Sequence, residues 1–337
     1  MTKPDNDFQS GFPLVRGRRN RLHPGRRMMV AEHRLSLSDF IAPLFVTEGK
    51  EVKEPIASMP DYFRLSPDLA VRQAAMLHEL GIPAVLLFVK VPEAKKDNEG
   101  TEALNENGLI QTVVKRMKEA VPGLVLMTDV ALDPYSSYGH DGIVRDGEIV
   151  NDETVDVLAR MAVSHARAGA DYVAPSDMMD GRIGEIRRAL EANGLYNTGI
   201  LAYSAKYASG FYGPFRDALD SKPGFGDKKS YQMDPANVAE AVKEAQMDEA
   251  EGADMVMVKP GLPYLDVVRA VKKQVQVPVA VYNVSGEYAM IKAAAEKGLL
   301  DEDQAVMESL LAFKRAGADV IATYWAEKAA RLLEQTK

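Results

Sequence analysis

Residues 251–261 read EGADMVMVKPG. The glycine in Glu251-Gly252-Ala253-Asp254 is a natural left-handed stop for a helix, and the apolar run at 254–259 (DMVMVK) has the length of a strand. Pro260-Gly261 then ends any regular element. A run of Met and Val without polar alternation reads as a strand covered on both faces, the habit of parallel sheets. The same joint recurs at Ala168-Gly169-Ala170-Asp171 and Ala316-Gly317-Ala318-Asp319, with Leu80-Gly81-Ile82 as a looser copy. Each closes a helical stretch and opens an apolar one.

Outward from these joints the chain alternates. Strands are expected at 39–46 (weakened by Pro43), 84–88, 124–130, 171–175, 199–206, 254–259, 278–285 and 319–325. Helical spacing is expected at 68–80, 109–120, 152–168 (capped by Asn151 or Asp152), 183–192, 235–251, 264–275, 287–297, 301–316 and 327–334. Residues 90–107 read as a loop or lid edge, and 211–232 as a mobile loop of Gly, Pro and charge. Eight strands, each too apolar for a one-sided sheet, predict an α/β fold: a (β/α)8 TIM barrel over 38–337, preceded by an extended N-terminal arm at 1–37. A doubly wound open sheet is the alternative, but no glycine-rich phosphate loop follows the first strand.

With 337 residues, 46% of them hydrophobic, the chain has material for a large core. The absence of cysteine removes disulfides, thiolate nucleophiles and cysteine-ligated zinc, and fits a reducing cytoplasm, the expected location. No apolar run reaches bilayer length, so no membrane partner is expected. The net charge of −8 argues against nucleic acid. One segment runs the other way: residues 16–27 (RGRRNRLHPGRR) are densely basic, without helical period. They read as a nucleic-acid arm or, preferred here, as an arm wrapping an acidic neighbouring subunit.

A barrel carries its chemistry at the carboxyl ends of its strands. Those ends offer Asp129, Ser176, Lys206, Lys259, Ser285 and Tyr324. Taken singly, a strand-end Asp or Ser usually caps the next helix, and a lone Tyr is usually a core aromatic. The two lysines are harder to dismiss. They end sequential strands, about 5 Å apart in a parallel barrel, and both desolvation and mutual repulsion favour the neutral amine. Neutral amines attack carbonyl carbon, so two of them suggest two imines. Arg216 offers a clamp for a carboxylate, Lys228, Lys229 and Gln232 offer charge or hydrogen bonds, and Tyr203, Tyr207, Phe211 and Tyr212 keep water out. In the stretch 129–142 (DVALDPYSSYGHDG), Asp133 and Asp141 suit an oxygen-ligated cation, a proton relay or simple Asx turns.

The stretches DVALDPYSSYGHDG, APSDMMDGRIG (174–184), AYSAKYASGFYGPFRDA (202–218), YQMDPAN (231–237), EGADMVMVKPG, VYNVSGEYAM (281–290) and FKRAGADVIATY (313–324) resemble the porphobilinogen synthase (delta-aminolevulinic acid dehydratase) family. The resemblance covers nearly the whole chain. It implies a barrel with an arm that embraces a neighbour, in homo-octamers built from dimers. It also implies condensation of two 5-aminolevulinate molecules to porphobilinogen with loss of two waters, an early step of tetrapyrrole biosynthesis. By the same resemblance Lys206 and Lys259 are the Schiff-base lysines. Ser285 and Tyr324 hold the carboxylate of the substrate on Lys259, and Arg216 and Lys228 that of the substrate on Lys206. Asp129 and Ser176 move protons, while Gln232, Tyr212 and Tyr282 line the site.

Zinc-dependent members carry three cysteines where this chain has Ala131, Asp133 and Asp141. Zinc is therefore not expected, and the chain resembles the aspartate-bearing branch stimulated by Mg2+ away from the chemistry, with Glu244 matching its ligand. Tyr138 stands where many members have His. Two rivals remain at this stage. A class I aldolase would use one lysine only, and a non-catalytic barrel would use its basic arm to bind RNA or another partner.

Overall fold

A computed structural model of the chain describes residues 15–221 and 224–335. It divides into two units, residues 1–34 and 35–337, against the 37/38 boundary expected. In the first, the basic segment does contain a helix: Pro24–Met29, with Pro24 in its opening turn and the His23 ring accepting from Gly25 N at 3.1 Å. Its arginines fold back on their own segment, Arg26 onto Arg19 O at 2.9 Å and Arg27 onto Arg21 O at 2.7 Å. The rest of the arm, residues 1–14, lies outside the described residues.

The second unit is the (β/α)8 barrel. Its strands are β1 Phe40–Val46, β2 Ala84–Val89, β3 Val125–Val130, β4 Tyr172–Pro175, β5 Gly199–Lys206, β6 Met255–Lys259, β7 Val279–Asn283 and β8 Val320–Thr323. Each pairs in parallel with the next, and β8 returns to β1 through Phe40–Ile321 and Ile41–Ala322, so the sheet has no free edge in the barrel. Pro43 is tolerated within β1 because that strand pairs on one side only at Phe40, Ile41, Phe45 and Val46. The missing N–H falls in the gap between those partners.

The joints do more than the sequence suggests. Gly169, Gly252 and Gly317 take φ of +110°, +105° and +119°, the left-handed caps expected. The aspartate that follows each one then bonds sideways. Asp171 accepts from Leu126 N at 2.7 Å and Lys118 at 2.6 Å. Asp254 accepts from Ile200 N at 2.8 Å and Arg187 at 2.7 Å. Asp319 accepts from Val279 N at 2.7 Å and Lys272 at 2.6 Å. In all three, a carboxylate ties a strand's first turn to the preceding strand and to the helix before it, which pins the register.

Several expectations shift. The helix at Asn151–Ala168 starts behind Val150 with no side-chain cap, because Asn151 spends its amide on Asp180 N and O at 2.8 and 3.1 Å. The helix expected from 235 begins at Ala239, since Asp234 closes a turn by accepting from Ala236 N at 2.8 Å. The loop at 211–232 contains a helix, Gly213–Leu219. An antiparallel hairpin, Lys53–Pro55 with Phe63–Leu65, and a ribbon, Val144–Arg145 with Glu148–Ile149, were not foreseen. Their strands are too short to show a period.

Candidate active site

The carboxyl ends of the strands converge as a barrel requires. Asp129 is the penultimate residue of β3, Ser176 follows β4, and Tyr324 follows β8. Ser285 opens the helix Ser285–Glu296 behind β7. Lys206 and Lys259 end β5 and β6 and are direct partners in the ladder. All six side chains are buried.

The two lysines differ in their surroundings. Lys259 Nζ lies among rings: Phe215 and Tyr282 at 4.7 Å, Tyr203 at 5.0 Å and Tyr212 at 5.3 Å from their centroids. Among the described residues no carboxylate comes within salt-bridge distance of it. Burial, then the Lys206 ammonium, pushes its pKa down to about 7, with Asp129, Asp133 and Asp141 opposing. Lys206 Nζ instead donates to Ser176 O and sits 3.7 Å from Asp141 Oδ2.

Lys228 completes the charged cluster, 3.1 Å from Asp141 Oδ1 and 3.5 Å from Asp133 Oδ2. Burial alone would lower its pKa, but the two carboxylates together raise it. Asp141 is held down at about 2: burial pulls it upward, and Lys206 and Lys228 outweigh that pull. Asp129 goes the other way. Burial, helped by Asp133, pushes it up to about 7, and its Oδ1 has no hydrogen-bond partner. A carboxyl poised near neutrality with a free oxygen is suited to moving protons.

Around the amines the structure gathers groups suited to anions. The Ser285 hydroxyl accepts from Phe215 N at 2.9 Å, which leaves its proton to donate. The hydroxyls of Tyr282 and Tyr324 meet at 3.0 Å, so only one proton of the pair is consumed there. Tyr212 donates to Lys259 O at 3.1 Å and fixes that strand end. Arg216 is half-buried on Gly213–Leu219, and Gln232 is buried with its Oε1 unpartnered. Asp133, Lys206, Tyr212, Phe215, Arg216, Lys228, Gln232 and Lys259 enclose a cavity of about 20 Å³, room for one water. A larger groove, about 660 Å³, runs between the helices Pro67–Glu79 and Ala326–Gln335; Tyr324 lines it, but neither Lys206 nor Lys259 does. Its cations are largely paired already, as Lys292 is with Asp61 and Arg331 with Glu327, whereas the smaller cavity brings both strand-end lysines together.

Glu244 stands apart from this cluster, half-buried on Ala239–Ala250. Its carboxyl is raised by burial and by Asp248, one turn on. Asp248 itself grips Arg182 with both oxygens at 3.1 Å. Among the described residues no group of three or more His, Asp or Glu side chains is disposed to hold a metal ion. Three contributors escaped the sequence reading. Phe215 closes the ring cage, and the buried Arg182 ties the segment behind Ser176 to Asp248. Glu287 is wholly buried behind Lys259. Nothing in their spacing marks them, although all three fall in the quoted stretches.

A family model described as delta-aminolevulinic acid dehydratase matches residues 14–332. Delta-aminolevulinic acid dehydratase 1, chloroplastic, of Arabidopsis thaliana is 55% identical over 96% of this chain and 77% of its own. The Bradyrhizobium diazoefficiens delta-aminolevulinic acid dehydratase is 55% identical over 95% of this chain and 91% of its own. The crystal structure of the Toxoplasma gondii ME49 enzyme, in complex with its reaction product porphobilinogen, superposes with a TM-score of 0.94 at 51% identity, covering 96% of this chain and 92% of that one. The expected cytoplasmic location is overturned: relatives from Arabidopsis thaliana, Glycine max, Physcomitrium patens and Oryza sativa are named chloroplastic. A chain without cysteine is chemically at ease in any reducing compartment, so cysteine usage does not single out one.

Proposed function

The chain belongs to the delta-aminolevulinic acid dehydratase family, and from that premise we propose that Lys206 and Lys259 each bind one substrate as an imine. The reaction joins two molecules of 5-aminolevulinate into porphobilinogen with loss of two waters. The observation that carries the two-imine reading is the ladder pairing of Lys206 with Lys259, with the Lys259 amine held near neutrality by burial.

Each amine adds to a ketone carbon and expels its oxygen as water. The imine so formed acidifies the adjacent C–H, and Asp129, half-ionised near pH 7, is placed to take that proton and return it. The Ser176 side chain hydrogen-bonds Asp129 and belongs to the same relay, while its backbone carbonyl accepts from Lys206. Ser285, with its own proton to give, and Tyr324, which shares one free proton with Tyr282, hold the carboxylate of the substrate on Lys259. Arg216 and Lys228 hold that of the substrate on Lys206, and Gln232, Tyr212 and Tyr282 shape the space between. The cavity is far smaller than two substrates, so binding requires lining side chains such as Tyr212, Phe215, Arg216, Lys228 and Gln232 to move aside. Asp133 and Asp141 are neutralised by Lys228 and Lys206, which favours a proton relay over a bound cation there.

We assign Mg2+ to Glu244, as a single hard carboxylate completed by water and distant from the imines. Zinc has no soft donor in the stretch 131–141, where Asp133 and Asp141 already face ammonium groups. The arm is assigned to self-association, toward a homo-octamer. Val15, Leu22, Met28, Met29 and Val30 are all more than half exposed on it, an apolar surface that needs cover. Borohydride reduction with 5-aminolevulinate, followed by peptide mass mapping, tests the central reading. Both lysines are expected to carry the reduced adduct, and an unlabelled Lys206 or Lys259 refutes it.

A further inference from the structure

Glu287 is wholly buried, yet it lies outside the cavity and touches no cation among the described residues. Its Oε1 accepts from Gly261 N at 2.9 Å and Leu262 N at 3.1 Å, the two amides that follow the Lys259-Pro260 bond. Its Oε2 accepts from the Asn283 side-chain amide at the end of β7. Asn283 Oδ1 in turn accepts from the Thr323 hydroxyl at 2.9 Å, and Trp325 N donates to that same hydroxyl at 3.1 Å. One carboxylate thus links the turn behind Lys259, the helix that begins with Ser285, and the strand end that carries Tyr324.

We propose that Glu287 is a positioning residue that sets the spacing between Lys259 and the Ser285–Tyr324 carboxylate site, resting on the assignment of those groups made in the preceding subsection. A substrate held by its ketone on one strand end and by its carboxylate on the next two needs those ends fixed against each other. Hydrogen bonds along the strands do not do this, because the anchors lie past the last ladder pairs: Ser285 and Tyr324 follow Asn283 and Thr323. Glu287 spans that gap. A buried carboxyl without a counter-ion is a costly way to close a turn, and its pKa rises to about 7 as burial outweighs its amide donors. An early-turn glutamate serving only its helix dipole would face solvent. This one faces the neighbouring turn.

Trapping with borohydride and 5-aminolevulinate reports both lysines in one sample, so the Lys259-to-Lys206 labelling ratio is independent of how much protein has folded. Glu287→Ala is expected to lower that ratio about tenfold or more, together with kcat, as misplaced reacting groups do. Glu287→Gln should stay within about threefold of the parent, because its oxygen can still serve both turn amides and Asn283 can turn over to meet the new donor. A role confined to stability would lower both labels together and leave the ratio alone. An unchanged ratio in Glu287→Ala therefore overturns the positioning role. Where that variant does not fold, Glu287→Asp, whose carboxylate is withdrawn by one methylene, must lower the ratio, and an unchanged ratio there overturns it equally. Parent protein unlabelled at either lysine refutes the two-imine reading first and the positioning role with it. Parent labelled at both with an unchanged variant ratio refutes the positioning role alone.

Discussion

The sharpest consequence of the role proposed for Lys259 is the pH at which its amine loses a proton. Its pKa is pushed from an ordinary 10.5 to about 7, first by burial and second by Lys206. Deprotonation lies above the pKa, so lowering it widens the pH range of the free amine. At pH 7 about half the amine is free, against roughly 3 in 10⁴ for an unshifted lysine, a gain on the order of 10³. The trapping rate at Lys259 is then expected to rise about fivefold from pH 6 to pH 7, less than twofold from pH 7 to pH 8, and little thereafter. The assay is single-turnover reduction by cyanoborohydride, quenched at intervals, with the Lys259 peptide quantified by mass spectrometry. Lys206→Met removes the second cause, so the break should move upward while staying below 10.5, because burial remains. A rate still rising with unit slope through pH 9 in the parent would refute the buried-amine argument.

Other outcomes follow from the same geometry. With Ser285 and Tyr324 holding the carboxylate as proposed, Ser285→Ala and Tyr324→Phe should each raise KM for 5-aminolevulinate about tenfold with a smaller change in kcat, read from initial rates. Asp319→Ala cuts the tie to Val279 N and Lys272, which should destabilise the fold by about 1 kcal/mol because the carboxylate is part-exposed, and lower Tm with kcat unchanged. Glu244→Ala should abolish stimulation by Mg2+ while leaving imine trapping intact, and stimulation that survives would remove Glu244 as the ligand. Deletion of residues 1–27 should give a smaller species by analytical ultracentrifugation; an unchanged size would dissociate the arm from assembly.

Much of the barrel was legible because parallel strands covered on both faces lose polar alternation, and because Gly-Ala-Asp joints mark where helices stop. What escaped was set by tertiary contact. The helix start expected at 235 gave way to the Asp234 turn, and the Asn151 cap was lost to a bond with Asp180, 29 residues away in the chain. Pro43 misled for a local reason: a ladder break is invisible until the neighbouring strands are known. The strand-end polar groups could be read because the barrel rule says where to look. Glu287, Phe215 and Arg182 could not, since a buried glutamate or arginine, or a half-buried phenylalanine, beyond a strand end carries no period. Asp133 and Asp141 show the same limit in reverse. Their residue type suggests a cation site, and only the positions of Lys228 and Lys206 reveal that the charge is already met.

Charge balance explains how one cluster can hold the two proposed imine-forming amines in different surroundings. Three lysines, Lys206, Lys228 and Lys259, face three aspartates, Asp129, Asp133 and Asp141, in a space largely closed to water. If every amine were paired, no nucleophile would be free; if none were, repulsion would open the mouth of the barrel. The structure divides the roles. Asp141 lies between Lys206 and Lys228 and stays ionised, while the uneven remainder falls on Lys259 and Asp129, whose pKa values both move to about 7. One proton shared between a base and a nucleophile at the same pH is the condition for imine chemistry, where the amine must be neutral to attack and a nearby acid must release water. The rings around Lys259 keep that balance by excluding solvent rather than by supplying charge, so the reactivity of the strand end depends on packing as much as on the residues that react.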